Sequence, residues 1–583
     1  MSSEETEPNE VKKIPKKGIK RSLKKKPLIA GGIIAVIAIA GIVSGIVILG
    51  EIGETRRGTL VLGVTGTLNY LDPMEGWGEE SSAIITQVVT EALFALEFIN
   101  NRTEIIPNLA TGYNWSTNKT ELKLYLRKNV EFHDDTPFNA AAVKWNIDRL
   151  HRLIDLYFSG IAYQWQLPDG NWIINETKVL DEYTVKFVLN QPFIPLLSLL
   201  ATVPSLMLSP SSTPDNEFNT LISGTIYGTG AFIYSAYEGG NNVTLSPNPD
   251  YWGGRPAFDD VIIKFYPNDT VKYEAMLSGE LSNIGVERTL SDEDKDLFMN
   301  TAGIELEGTL AAQPAMNYIF MNNKVINATM RKAISYAFNF SAYANIDIMG
   351  KPVSSWFPIR SESPIPKAMP YSHWGSFDMP YYNISIARQA LKDANWPGTA
   401  GLTANDTINP GNEWEMVANS LTPLATYNYT FPIDNWWNNS LYHLLNESLK
   451  QIGVKLEQTP NMTFYELNTI TADKFGIHRA FAWGADYNDP ASMINPLFSS
   501  KADGGYNVGQ VNDALVQQWM EEALEETNET VREQLYFNIE KRLIEEVYPV
   551  IWIESLVYYE AHVSNLHWTP DLGVFTIKDW YFD

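Results

Sequence analysis

Cysteine is missing from all 583 residues. Its absence excludes disulfides, thiolate metal sites, a cysteine nucleophile and a lipid-modified N-terminal cysteine. Histidine is scarce: the seven residues are scattered, and none pair at the spacing of helical metal ligands. The chain contains no G-x-S-x-G elbow, Walker A loop, G-x-G-x-x-G turn or H-E-x-x-H pair. Positive charge is short as well. Beyond Pro27 there are 34 basic against 65 acidic residues, a net −31. Such a body would repel phosphate, so nucleic acid is a poor partner.

The chain is rich in apolar and aromatic residues, 45% and 12%, enough for a real core. At this length it exceeds one domain. Leu28 to Gly50 is an unbroken uncharged run. As a helix it extends about 34 Å, enough to cross a bilayer. Nine Lys or Arg residues lie between Lys12 and Lys26, while only Arg56 and Arg57 follow closely. The positive-inside rule then puts residues 1–27 in the cytoplasm and the body outside. A cleaved signal peptide is the alternative, but the run is long and the segment Ile48 to Gly53 is a poor cleavage site.

Asn-x-Ser/Thr sequons begin at Asn101, Asn114, Asn118, Asn175, Asn242, Asn268, Asn327, Asn339, Asn383, Asn405, Asn428, Asn438, Asn446, Asn461 and Asn528, all after the apolar run. The set reads as a glycosylated exterior, as in eukaryotic secretion or on an archaeal cell, with chance in an Asn- and Thr-rich chain as the alternative.

Strands and helices interleave, so the class is α/β with mixed sheets. Thr59 to Val64, Leu122 to Arg127 and Val179 to Leu189 alternate as strands, the last with a turn at Asp181-Glu182. Ser82 to Phe94, Asn139 to Leu150, Thr270 to Ser278 and Val531 to Val547 carry helical apolar spacing. Val550 to Ala561 reads as one final strand region, and Ser354 to Tyr382 as irregular and proline-rich. Asp292, Asp294 and Asp296 resemble the start of a calcium loop. However, the central Gly is missing and Gly303 stands where a Glu is needed. Ser291 capping an acid-rich first helical turn is the better reading. No metal or cofactor is expected. Carboxylates are plentiful, but spacing shows no facing pair, so an enzyme is not the reading.

The most informative stretch is Trp483-Gly484-Ala485-Asp486-Tyr487-Asn488-Asp489-Pro490. An apolar run from His478 leads into an acidic turn, at the end of a strand where open α/β sheets keep ligands. Taken alone, Asp486 reads as a cap of the turn before Pro490, and Asp489-Pro490 as turn chemistry.

Several ordered segments share a second pattern. They are Gly58 to Gly63 with Leu71-Asp72-Pro73, Thr90 to Phe94, Pro107 to Ala110, and Phe132-His133-Asp134-Asp135-Thr136-Pro137-Phe138. They continue with Gly228 to Phe232, Asn248 to Gly254, Met330 to Ile334, Ala387 to Leu391, Ile452 to Val454, and the acidic turn. In this order the chain resembles the family 5 solute-binding proteins of ABC transporters, the oligopeptide- and dipeptide-binding type. The resemblance covers nearly everything after Arg57. The family usually has Gly where Asp135 stands.

The resemblance implies a two-lobed periplasmic-binding-protein-like fold (type II, large cluster with an extra subdomain), here preceded by one transmembrane helix. Lobe I is then residues 58–96, 224–308 and 550–583, the extra subdomain 97–223, and lobe II 309–549. Ligand is expected between the lobes, buried by hinge closure. It also implies that Asp486 receives a peptide's α-ammonium, since a buried ammonium needs a fixed countercharge. Trp483, Tyr487, Tyr70, Trp77 and Gly78 are weaker candidates for the cleft lining, because aromatics are more often core. The implied partners are a short peptide, or an oligosaccharide stacked on aromatic faces, and the permease subunits of an ABC transporter.

Overall fold

The computed structural model describes residues 58–76, 80–99, 102–157, 162–167, 170–219, 224–285, 290–309, 315–348, 351–352, 359–430, 436–459, 476–479, 483–502, 506–555, 557–569 and 575–583. The apolar run 28–50, with Trp77 and Gly78, lies outside these residues. No described helix is long and apolar enough to cross a membrane.

Two sheets organise the chain. The first orders Thr59–Thr65, Asp260–Tyr266, Asn242–Pro247 and Phe232–Glu238. Its first pair is parallel and the others antiparallel. The second orders Ile359–Arg360, Val550–Ser555, Ala315–Met321, Ile477–Arg479, Ala425–Thr430 and Val454–Gln458, with Trp483–Gly484 also on Ala315–Met321. A separate antiparallel sheet, Ala110–Trp115, Glu121–Leu126, Thr184–Leu189 and Ile174–Asp181, packs with helix Ala140–Tyr157 over its own core.

The chain passes between the two main sheets twice. Ile304–Thr309 pairs antiparallel with Tyr558–Val563 on the first-lobe side. Ala315–Met321 pairs antiparallel with Val550–Ser555 inside the second sheet. The strand beginning at Val550, expected to open the return to lobe I, instead pairs inside the second sheet, and pairing with Ile304–Thr309 starts at Tyr558. The sequence blurs this because Val550–Ser555 is buried along its whole length. Ile551 and Ile553 face one core while Val550 and Trp552 face another. A strand covered on both faces is a continuous apolar run with no period to mark its end.

Helix Glu80–Val89 stops earlier than its apolar spacing suggested, and Phe94 opens the strand Phe94–Ile99. That strand pairs with Arg102–Pro107. Ser291 does cap its helix, accepting from Asp294 N–H, and no acidic cluster among the described residues is set to hold a metal.

The ordered motifs of the first lobe converge on one buried carboxylate. Glu91 accepts from Thr229 Oγ1, Tyr251 OH and Trp252 Nε1, each at 2.8 Å. Burial pushes its pKa up, and these three donors oppose the shift. Gly228 and Gly230 are required there. A Cβ on either would sit 2.3 Å from Val89 O or 2.6 Å from Val88 O. His133 bridges to the same turn, its backbone N–H donating to Gly228 O and its Nε2 lying 2.9 Å from Gly230 O. Asp135 has φ 62°, the left-handed region, which is why Gly suits this position and why Asp, which tolerates it, can replace it.

Five sequon residues, Asn268, Asn327, Asn339, Asn383 and Asn528, are helix N-caps, each accepting from the N–H three residues on. Capping chemistry favours Asn at the cap and so accounts for part of the sequon density without any glycan.

His151 stacks on Trp172 with centroids 4.0 Å apart, and its Nε2 is buried without a partner. Burial pushes its pKa down to about 4, against a small opposing pull from Asp148. The unfolded chain binds a proton near pH ~6.5 that the fold refuses until pH ~4, so stability falls as pH drops through that window, by about 1.4 kcal/mol per unit from this group. His151→Phe keeps the stacking and removes the proton. Denaturant unfolding at pH 6.5 and pH 4 should show the variant losing about 1–3 kcal/mol less than wild type; equal losses would refute the assignment.

Candidate functional site

The acidic turn lies at the end of the second sheet nearest the crossings. Trp483 pairs with Met316, and Met316 pairs in turn with Ser555. Short strands 477–479 and 483–484 both lie on Ala315–Met321, so the expected strand into the turn is present on either side of residues 480–482, which lie outside the described residues.

The turn is built from behind. Asp489, buried, caps helix Pro490–Phe498 by accepting from Ala491 N–H at 3.0 Å, with Pro490 at the first helical position. The cap before Pro490 is thus Asp489, not Asp486. Its carboxylate also meets Arg532 in a two-pronged ion pair, Nη1 to Oδ2 at 2.7 Å and Nη2 to Oδ1 at 2.9 Å. Tyr536 OH donates to Oδ1 at 3.2 Å. Arg532 Nε donates to Ala523 O, and its guanidinium lies 5.3 Å from the ring centroids of both Tyr371 and Tyr536. Burial opposes the charge on Arg532, but Asp489 outweighs it and holds the guanidinium protonated. Ser492 Oγ lies 2.8 Å from the carbonyl oxygens of both Tyr487 and Asp489 and closes the turn.

Asp486 sits half-buried three residues before this anchor. Its field is felt on both sides. Burial raises the Tyr487 phenol well above its usual range, with Asp489 and Asp486 adding to the shift. Burial raises Tyr506 as well, with Asp486 adding. Trp483 is buried in a second-lobe core and donates Nε1–H to Ser492 O at 2.9 Å. Its ring meets Tyr506 edge-on, centroids 4.7 Å apart. Tyr487 is half-buried and packs against the core of the extra subdomain.

The fold therefore gathers Trp483, Asp486 and Tyr487 and adds Tyr506, which the sequence reading missed. Tyr506 sits in a Gly-rich stretch with no periodicity, so nothing local marked it. Tyr70 is half-buried on the first lobe, its N–H donating to Ser82 Oγ at 3.3 Å. The same loop holds Asp72 fully buried against Arg149, Nη2 to Oδ2 at 2.5 Å, with Asn219 N–H also on Oδ2 at 2.8 Å. Arg149 Nε reaches Pro214 O at 2.7 Å. This pair locks the loop after the first strand.

Removing Arg532 leaves the Asp489 carboxylate buried without its cation. Arg532→Met should lower the unfolding free energy by roughly 3–5 kcal/mol in urea titration, and Arg532→Met with Asp489→Asn should recover part of it. A loss below about 1 kcal/mol for the single variant would place the turn's support elsewhere.

The sequence profile of the family described as bacterial extracellular solute-binding proteins, family 5, matches residues 104–505. A curated relative, the probable D,D-dipeptide-binding periplasmic protein DdpA of Escherichia coli K12, is 25% identical over 456 residues, covering 76% of this chain and 78% of its own. Among solved structures, HbpA2 from Haemophilus parasuis superposes with a TM-score of 0.74 at 18% identity, covering 90% of this chain and all of that one. DppA from Helicobacter pylori, solved with the peptide STSA, superposes at 0.64 with 19% identity, over 91% of this chain and 99% of its own. These two establish the two-lobed periplasmic-binding-protein-like fold. The profile match spans more than half the chain, so the protein belongs to the family 5 extracellular solute-binding proteins of ABC transporters.

Proposed function

We propose that this protein is a membrane-tethered extracellular receptor that captures short peptides and delivers them to the permease of an ABC transporter, without chemical change. The observation that carries the reading is Asp486, a half-buried carboxylate on a turn fixed by Asp489 and Arg532, at the sheet end where the lobes connect. A carboxylate held this way is preorganised for a ligand's ammonium group, which needs a charge-assisted hydrogen bond once desolvated. The dipeptide named for DdpA and the peptide bound to DppA agree with that ligand class. An oligosaccharide is the weaker alternative, because the Trp483 ring is already committed to the core and to Tyr506.

The test is calorimetric titration of the full-length protein with di- to pentapeptides and with oligosaccharides. Peptides should bind and N-acetylated peptides should not. Asp486→Ala should weaken peptide binding roughly 10- to 150-fold, the worth of a hydrogen bond to a charged group. Unchanged affinity would remove the ammonium role, and binding of sugars alone would replace the ligand class.

The tether rests on the uncharged run 28–50 behind nine basic residues. The exterior glycan belongs to the same reading, with the exposed sequons Asn114, Asn118, Asn175 and Asn428 as acceptors that cap no helix. Mass spectrometry of the native protein in the membrane fraction should find residues 28–50 intact and added mass at these positions. A mature N-terminus beyond Gly50 would show a cleaved leader instead.

A further inference from the structure

Tyr506 follows two glycines in the sequence, and its place is fixed from the other side. Asn507 is fully buried and spends its side chain on the loop. It donates from Nδ2 to Ser499 O and to Val511 O, each at 3.0 Å, and accepts from Val511 N–H at 3.0 Å. Gln510 returns its N–H and its Nε2–H to Asn507 O at 3.0 and 3.1 Å. Val508 N–H donates to Tyr506 O at 2.8 Å. Ser499 is the C-cap of helix Pro490–Phe498, and Asp489 is its N-cap. The loop that carries Tyr506 and the turn that carries Asp486 are therefore fastened to opposite ends of one helix. Trp483, bonded to Ser492 O in the first turn of that helix, meets the Tyr506 ring edge-on. The two rings differ in exposure, 6% for Trp483 and 38% for Tyr506. Asp486 is near enough for its charge to add to the rise that burial causes at the Tyr506 phenol.

We propose that Tyr506 is a specificity-determining residue: its exposed ring takes the side chain of the ligand's first residue and favours aromatic and aliphatic side chains there. The inference rests on the reading above, in which Asp486 receives a peptide's α-ammonium. The first side chain leaves the same Cα as that ammonium, so it is carried to the neighbourhood of Asp486, where the Tyr506 ring is exposed. Two features argue against a ring that only covers Trp483. A cover would itself be buried, and Tyr506 is not. The loop is also held by Asn507, so the ring keeps its place without relying on Trp483. A ring fixed in advance costs little ordering entropy when a ligand packs on it. An aromatic side chain gains a ring–ring contact there, and an aliphatic one gains buried apolar area. Glycine gains neither.

The test is calorimetric titration of the full-length protein with the tripeptides Phe-Ala-Ala, Leu-Ala-Ala and Gly-Ala-Ala. Wild type should bind the first two roughly 10- to 100-fold more tightly than the third. Tyr506→Ala should cut that ratio to below about threefold, and Tyr506→Phe should keep it, because the ring and not the hydroxyl makes the contact. If Tyr506→Ala weakens all three peptides by one common factor, the ring is structural and the inference is overturned. Equal affinity of wild type for the three peptides overturns it as well, and this arm decides alone if Tyr506→Ala does not fold. Binding without a preference removes this inference and leaves the peptide reading standing. Failure of all three to bind wild type removes both.

Discussion

The Asp489–Arg532 ion pair is the interaction on which the acidic turn and the elements around it depend. Each partner would be costly alone, because a buried charge without its counterion loses several kcal/mol of solvation. Together they hold the start of helix Pro490–Phe498, the end of helix Ala514–Glu525 through Ala523 O, and the stacked rings of Tyr371 and Tyr536. The turn that carries Asp486 and Asn488 is suspended from this knot. The flank of Asp486 supplies no stiffness of its own, since Gly484 and Ala485 precede it. The turn's rigidity therefore comes from the buried groups behind it.

The first lobe follows the same logic with a different group. Glu91 gathers three donors from segments more than 130 residues away along the chain. Its carboxylate is raised by burial and partly restored by those donors. The glycines beside it exist because backbone runs against backbone there. Two buried carboxylates, one in each lobe, thus convert sequence motifs that look like scattered turns into fixed scaffolding.

Local chemistry was legible wherever one face of an element meets water. Glu121–Leu126 alternates buried positions with half-buried or exposed ones, and the alternation is visible in the letters. Ser291 announced its helix by its position before three acids. What depended on remote partners was not legible. Asp489 reads as a turn residue from its neighbours, and nothing near it points to Arg532. Helix Pro490–Phe498 is masked by a proline at each end of its span, one suited to a first turn and the other, Pro496, inside it. Trp483 was a weaker candidate because a tryptophan beside an acidic turn is compatible with core or cleft, and its bond to Ser492 and contact with Tyr506 are not visible in the letters. The end of strand Val550–Ser555 was not legible, because burial on both faces erases periodicity.

The double crossing also sets an order of events in synthesis. The second sheet is built wholly from residues that lie between the paired strands Ile304–Thr309 and Tyr558–Val563. The core of the first lobe contains Leu60, Val89 and Phe232 from early in the chain, and Leu566, Phe575, Ile577 and Trp580 from its last residues. Residues between Ala315 and Ser555 can complete their own sheet as soon as they emerge, yet the first lobe must wait, with Tyr558–Val563 still missing from beside Ile304–Thr309. The part of the molecule that is made first is finished last, and while some 250 further residues are made its core lacks the side chains that Leu566, Phe575, Ile577 and Trp580 supply.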